Sequence, residues 1–220
     1  MGYVLYGANG SGSSIVEIAL AEIGADYALE IVDAANAAHR DAAYAAVNPH
    51  RKLPTLVTPE GDTLTESAAI AITLAERHPD SGLLPPPASA ARARALRWML
   101  FAAAELYPIV EIMDHPERFA PDEATRPGVR DTALQIWRSR WRTVEGSLGE
   151  ASAAADSAPA GPFLLGQTFC VADVYLAALS RWDLEADWRA ANIPKLERLA
   201  AAVAKRPKIR ELWPKHFPAG

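Results

Sequence analysis

The chain of 220 residues contains a single cysteine, Cys170. One thiol cannot form an intrachain disulfide, and it excludes both a Cys-x-x-Cys redox motif and a metal site built from several cysteines. The sequence also lacks an uninterrupted apolar run of the roughly 18 residues that a membrane-spanning helix needs. These absences predict a protein without disulfides, without a bound metal and without a place in the membrane.

Basic residues are scarce in the first part of the chain. Residues 1–80 carry 4 Lys and Arg against 11 Asp and Glu, whereas residues 81–220 carry 18 against 16. Since no basic stripe is present, the sequence predicts no nucleic-acid partner. The N-terminal stretch "MGYVLYGANG" has neither a basic region nor a long apolar region, so a cytoplasmic location is expected.

Prolines mark a break in the sequence at "SGLLPPPAS", residues 81–89. Three consecutive prolines continue neither a helix nor a central strand. We therefore interpret residues 81–87 as a stiff linker between a first domain, residues 1–80, and a second domain, residues 88–220.

The first domain alternates between patterns typical of strands and of helices. Its predicted strands are 3–7, 27–33, 54–58 and 62–65, and its predicted helices are 13–24, 39–47 and 66–78. The resulting order is βαβαββα. A βαβ unit implies a parallel strand pair, and the closing hairpin adds antiparallel strands at one side of the sheet.

The second domain shows helical patterns and no strand pattern. Helices are predicted at 88–107, where Pro108 stops or kinks the first one, and at 126–152, 170–186 and 193–207. The expected fold class is thus an α/β domain followed by an all-α domain.

Three motifs carry a resemblance to a known family: "NPHRKLPTL" (48–56), "TES" (65–67) and "GQTFCVADVYLAAL" (166–179). With the βαβαββα order and the proline-rich linker, they resemble the cytosolic glutathione S-transferases, of theta-, zeta- or beta-like bacterial type. The resemblance implies a thioredoxin-like first domain that binds glutathione as co-substrate, a helical domain with a site for a hydrophobic electrophile between the two domains, and a homodimer.

The reaction implied by the resemblance is attack of the glutathione thiolate on the electrophile. Glutathione-dependent isomerisation, dehalogenation or disulfide reduction, and non-catalytic binding, are alternatives, because one fold hosts several functions.

The resemblance also assigns residues to glutathione. Pro54 follows a cis peptide bond in the family, which presents the backbone of Leu53 to the peptide ligand. Glu66 and Ser67 would hold the ammonium and the carboxylate of the γ-glutamyl end. The alternative is that Thr65, Glu66 and Ser67 only cap the following helix.

The glycine carboxylate of glutathione would meet His39 and Lys52, for which a solvated surface position is the alternative. Arg51 departs from the family, where many members have glycine, and this puts the shape of the local loop in question.

A hydroxyl donor near the first helix would stabilise the thiolate. Ser11 is the preferred donor because the active serines of the family follow the first strand. Ser13 is the near-cap alternative, whereas Ser14 fits a capping box with the glutamate three residues later. Asn9 and Tyr6 remain further candidates.

The motif "TFCVAD" resembles the family's Ser/Thr-x-x-Asp capping motif, with Cys170 in place of the hydroxyl. We expect Asp173 to cap the helix and Cys170 to be a small buried side chain rather than a nucleophile.

Met99, Ala103 and Tyr107 share one face of the predicted helix 88–107. They are candidates for the hydrophobic substrate site, and a core position is the alternative.

Overall fold

The computed structural model describes residues 2–33, 38, 41–149, 161–182 and 184–218. These residues form two compact units. The first unit comprises the chain up to Pro86 together with the residues from Ala204 onward, and the second unit runs from Pro87 to Val203. Within the described ranges, no helix combines the length and the hydropathy required to cross a bilayer.

The first unit contains a four-stranded mixed sheet. Its elements are β1 (Tyr3–Gly7), α1 (Ser13–Ile23), β2 (Tyr27–Ile31), α2 (Ala42–Val47), β3 (Thr55–Val57), β4 (Thr63–Thr65) and α3 (Ser67–Arg77). The strand order is β2-β1-β3-β4, with β1 parallel to β2 and antiparallel to β3, and with β3 and β4 forming an antiparallel hairpin. The predicted βαβαββα order, the parallel pair and the hairpin are confirmed.

Apolar residues of the strands and helices form the core of this unit. Leu5 of β1 lies opposite Leu56 of β3, and both side chains are fully buried. Helices α1 and α3 contact each other and contribute Ile15, Ile18 and Ile70 to the same core. The central strand β1 is therefore fixed on both sides, and the loop that follows it starts from a rigid position.

The second unit is helical in its described part, apart from isolated bridges near residue 165. Its helices are α4 (Ala90–Phe101), α5 (Tyr107–Asp114), α6 (Arg126–Ser147), α7 (Val171–Leu179), α8 (Ala186–Asn192) and α9 (Pro194–Ala204). The thioredoxin-like α/β class with an all-α second part is thus confirmed. Helix α7 is buried along its whole length, as expected for a helix that is apolar on every side.

The prediction of one helix over 170–186 is wrong in its second half, because α7 ends at Leu179 and α8 begins at Ala186. The hydroxyl of Ser180 donates to the carbonyl of Ala177 at 2.8 Å, a local hydrogen bond that competes with helix continuation.

Pro108 does not end the first long helix. Helix α4 continues through a π-helical turn, Ala102–Leu106, into α5, where Pro108 is the second residue. Proline lacks an N–H group and clashes with the carbonyl of the preceding turn, and a wider π turn accommodates both effects.

The residues from Ala204 onward belong to the first unit, although the sequence pattern predicts one helical domain over residues 88–220. Arg206 donates two hydrogen bonds to the carboxylate of Glu22 at 2.8 and 2.9 Å, and Nζ of Lys208 donates to the Glu22 carbonyl at 2.7 Å. Ile209 is fully buried. The last helix, α10 (Trp213–His216), therefore lies in the α/β unit.

The predicted cap of α7 is formed. The carboxylate of Asp173 accepts the backbone N–H of Cys170 at 2.8 Å and that of Leu164 at 2.7 Å, and Asp173 is fully buried. Cys170 and Asp173 form the reciprocal pair of a capping box. One carboxylate thus fixes both the start of α7 and the loop that precedes it.

We expect Asp173→Ala to lower the free energy of unfolding by about 2–4 kcal/mol, because it leaves two buried N–H groups without an acceptor. Denaturant unfolding measures this loss. Asp187→Ala is the matched control: Asp187 is an exposed acidic residue in the first turn of α8, and its removal should change stability by about 0.5 kcal/mol or less. An unchanged midpoint for Asp173→Ala would show that the cap contributes nothing.

Candidate active site

The loop between β1 and α1 is closed by the hydroxyl of Ser13. This hydroxyl accepts the N–H of Ala8 at 3.1 Å and donates to the carbonyl of Ala8 at 3.0 Å. Ser13 packs so closely against Gly7 that a Cβ at Gly7 would lie 2.4 Å from the serine oxygen. Ser13 is buried, and both of these hydrogen bonds hold the loop.

Ser11 lies in the same network but is only half-buried. Its hydroxyl donates to the carbonyl of Ala8 at 2.8 Å and lies 2.9 Å from the hydroxyl of Ser13. A hydroxyl carries one proton. Because Ser13 also donates to Ala8, that carbonyl keeps a donor when the proton of Ser11 turns to a ligand. Of the two predicted serines, Ser11 has the more accessible hydroxyl, and its proton can turn from Ala8 to a ligand.

The predicted capping box of Ser14 is wrong. Helix α1 begins at Ser13, two residues before the first helical residue that a cap at Ser14 requires, and Gly12, which has no side chain, occupies the N-cap. The hydroxyl of Ser14 is buried and has no partner among the described residues. Glu17, the expected second member of the box, binds Tyr27 and His216 instead.

The two remaining thiol-activating candidates differ in exposure. Asn9 is exposed beside Ser11, whereas Tyr6 is half-buried on β1 and packs against Tyr44 with ring centroids 6.0 Å apart. Tyr44 donates its own hydroxyl to the carbonyl of Lys52. Tyr6 thus belongs to an aromatic pair that supports the neighbouring turn.

The turn before β3 has the predicted shape, with a cis peptide bond between Leu53 and Pro54. Its base is held by buried Asn48, whose Nδ2 donates to the carbonyl of Lys52 at 2.8 Å and to the hydroxyl of Thr55 at 3.0 Å. Lys52 is exposed and Leu53 is half-buried. The turn is therefore fixed from its buried side.

Arg51 resolves the question about this loop. Its φ of 55° lies in the left-handed region, where glycine is favoured and most side chains are strained. The chain adopts the turn with arginine at this position, so the departure from the family pattern leaves the turn intact.

Glu66 and Ser67 lie at the start of α3. Glu66 is the exposed N-cap residue, with an unusual φ of 65°, and its side chain makes no cap hydrogen bond. Ser67 is the first residue of the helix and is buried. The first N–H groups of a helix and its dipole favour an anion. Glu66 therefore does not cap α3 with its side chain, and the glutathione role of this pair stays a prediction.

His39 lies outside the described residues, so its role stays a prediction.

Met99 is fully buried, which is typical of a core position, whereas Ala103 and Tyr107 are half-buried. The ring of Tyr107 packs edge-on against Trp182 at 5.4 Å.

Cys170 is the buried residue that the sequence predicted. Burial, and then the charge of Asp173, raises the pKa of its thiol well above the usual value. A nucleophilic cysteine needs the opposite shift, so Cys170 is not suited to thiolate chemistry.

One contact of the loop is not predicted by the sequence. The N–H of Gly10 donates to Nδ1 of His216 at 3.3 Å, across 206 positions of sequence. No local pattern marks such a pair, because the two residues share neither an element nor a motif.

Comparison with known proteins agrees with this fold. The model of the family "Glutathione S-transferase, N-terminal domain" matches residues 13–77. An uncharacterized GST-like protein of Escherichia coli (strain K12), YncG, is 30% identical over 215 residues, which cover 94% of this chain and 95% of YncG. A maleylacetoacetate isomerase of Pseudomonas aeruginosa is 29% identical over 220 residues, with coverage of 92% and 91%.

A solved structure shows the same architecture. The glutathione S-transferase of a sphingomonad, complexed with glutathione, has a TM-score of 0.71 and 27% identity, covering 98% of this chain and 100% of its own. The likeness extends over both units rather than over one motif. The chain belongs to the glutathione S-transferase family.

Proposed function

We propose that the protein is a glutathione transferase that joins the thiolate of glutathione to a carbon of a hydrophobic electrophile. The observation that carries this proposal is the accessible hydroxyl of Ser11, which Ser13 and Ala8 hold beside the start of α1. The family relationship and the glutathione in the sphingomonad structure support the choice of ligand.

Glutathione offers groups that suit the described residues. Its γ-glutamyl carboxylate would meet Ser67 and the first N–H groups of α3, and its ammonium would meet the exposed carboxylate of Glu66. The backbone of Leu53 would pair with the peptide, and Lys52 would neutralise the glycine carboxylate. Pro54 would hold this pairing strand in place.

In the reaction, Ser11 would donate a hydrogen bond to the glutathione sulfur. A free thiol has a pKa near 8.5 and is largely protonated at neutral pH, so a donor at the sulfur increases the thiolate fraction. The thiolate then forms a carbon–sulfur bond, and the leaving group departs with the electron pair. Ala103 and Tyr107 would contribute apolar surface for the electrophile, whereas Met99 is fully buried and would contribute none.

Glutathione-dependent isomerisation is the second candidate, because a relative at 29% identity is named maleylacetoacetate isomerase. It uses the same thiolate but returns glutathione unchanged.

The homodimer and the cytoplasmic location stay predictions.

A two-step experiment tests the proposal. Calorimetry with glutathione measures binding, and the loaded protein is then offered an aryl halide, a cis-configured maleyl compound and a small disulfide in parallel. We expect binding and a glutathione–aryl conjugate by mass spectrometry. Isomerised maleyl compound without conjugate would favour the second candidate, and absence of glutathione binding would refute both.

Ser67→Ala should weaken glutathione binding by about 1–3 kcal/mol, the usual effect of losing a hydrogen bond to a charged group. The matched control is Ser89→Ala, because the Ser89 hydroxyl accepts the N–H of Arg92 and caps α4. That variant should lower stability by about 1 kcal/mol and leave affinity unchanged. If Ser67→Ala and the parent bind glutathione with equal affinity, Ser67 does not bind the ligand and is only the first residue of α3.

Ser11→Ala should lower kcat by about 10²–10³ and raise the pKa of the bound glutathione thiol, because the thiolate loses its positioned donor. Glutathione affinity should change little, since the groups at Glu66 and Ser67 remain. Thiolate absorbance against pH measures the titration directly.

Ser13→Ala is the comparison within the loop. It should lower the free energy of unfolding by about 1–3 kcal/mol, because Ala8 loses a buried partner, and it should reduce kcat less than Ser11→Ala does. A shift of the thiol titration in Ser13→Ala alone would transfer the donor role to Ser13. Unshifted titrations in both variants would exclude the serines.

A further inference from the structure

His216 connects the C-terminal segment to the loop that carries Ser11. It lies in α10 and is 5% exposed. Its Nδ1 accepts the N–H of Gly10 at 3.3 Å, and its Nε2 lies 2.9 Å from the carboxylate of Glu17, which is 6% exposed. A buried imidazole with two specific partners is held in one orientation.

The partners define the proton on the ring. Because the N–H of Gly10 is a donor, Nδ1 of His216 must carry a lone pair. Nε2 therefore carries the proton and donates it to the carboxylate of Glu17. The arrangement requires the neutral imidazole, in which one nitrogen is a donor and the other an acceptor.

Glu17 is itself fixed by a second donor. The hydroxyl of Tyr27 donates to the other carboxylate oxygen at 3.0 Å. Burial alone would raise the pKa of Glu17, but hydrogen bonds from His216 and Tyr27, together with nearby positive charge such as that of Lys215, outweigh burial and lower it. Burial, together with the charge of Glu17, raises the pKa of Tyr27, so Tyr27 remains a donor.

Gly10 is the residue directly before Ser11. Its φ of 70° is left-handed, and an added Cβ would lie 3.2 Å from the carbonyl of His216. On the other side, the N–H of Ser11 donates to Ala8 at 3.2 Å. The backbone that carries the Ser11 hydroxyl is thus held by the loop itself and by the C-terminal segment.

We propose that His216 is a positioning residue, which fixes the Gly10 amide and thereby aims the Ser11 hydroxyl at the glutathione sulfur. This inference rests on the proposed role of Ser11. A donor whose backbone is already in place needs little reorganisation when the thiolate forms, which is the condition under which a hydrogen bond to an anion is most effective.

Two substitutions separate the bond to Gly10 from the bond to Glu17. In His216→Asn, the side-chain oxygen can occupy the position of Nδ1 and accept the N–H of Gly10, but the side chain is too short to reach Glu17. In His216→Gln, the terminal amide can reach Glu17 but leaves the Gly10 N–H without its acceptor. Both variants remove a buried ring, so both should lose stability.

We expect His216→Gln to lower kcat by about 10- to 100-fold, as mispositioning of a reacting group does. The KM for glutathione should stay unchanged, and the pKa of the bound thiol should rise. His216→Asn should keep most of the parent's kcat and its thiol titration. Equal kcat values and equal thiol titrations in the two variants would overturn the proposal, because stability alone would then explain them.

Arg206→Ala is the control for general loosening of the C-terminal segment. It removes the pair with Glu22 and leaves the contact of His216 with Gly10 in place. We expect a loss of stability with kcat close to that of the parent. A fall in kcat as large as that of His216→Gln would assign the effect to docking of the whole segment and reject a specific role for His216.

Hydrogen exchange of the Gly10 amide provides a readout that needs no glutathione. The amide should exchange faster in His216→Gln than in His216→Asn or the parent. If the parent fails to bind glutathione, the proposed function fails, while this exchange pattern still decides whether His216 holds the loop. Equal exchange in all three proteins would refute the positioning role.

Discussion

The hydrogen bonds between Ser13 and Ala8 are the constraint on which the rest of the site depends. A strand that leads directly into a helix must reverse within a few residues, and its backbone groups must find partners there. Ser13 supplies both a donor and an acceptor from one hydroxyl, at 3.0 and 3.1 Å. Gly7 has no side chain because that hydroxyl occupies the space, and Ser11 remains available because Ala8 is already satisfied.

The positive charge of residues 204–220 also affects the first unit. Residues 1–80 carry a formal charge of −7, yet the proposed ligand has two carboxylates and reacts as an anion. Residues 204–220 carry five Lys and Arg and one Glu, and two of these cations, Arg206 and Lys208, bind Glu22. The C-terminal segment therefore reduces the negative potential of the unit in which we place glutathione. The N-terminus of α3 then provides the local attraction for a carboxylate.

Features with a local cause could be predicted from the sequence. The strands, the hairpin and the cap at Asp173 follow from short apolar patterns and motifs, and the cis bond before Pro54 followed from the family resemblance. The capping box predicted for Ser14 failed because a tertiary partner outcompetes a local one. Glu17 has the spacing of a capping box but binds His216, which lies 199 positions away.

The predicted limits of α7 failed for a different reason, which is local. Its apolar pattern continues beyond Leu179, and a side-chain hydrogen bond of Ser180 ends the helix. The loop between β1 and α1 was predicted only in part. The family resemblance already favours Ser11 over Ser13 as the donor, and the structure adds that Ser13 and Ser14 are buried whereas Ser11 is half-buried.

A unit built from both ends of the chain also has a consequence for biosynthesis. Chains emerge from the ribosome at about 5–20 residues per second, and the N-terminal part can begin to fold first. The sheet and its three helices are available early, but Glu22 lacks Arg206 and Glu17 lacks His216 until residues 206–216 are made. The loop between β1 and α1 would therefore reach its described form only after residue 216 has been synthesised. A chain broken off before that point would contain every residue that we propose for glutathione and still lack the contact between His216 and Gly10.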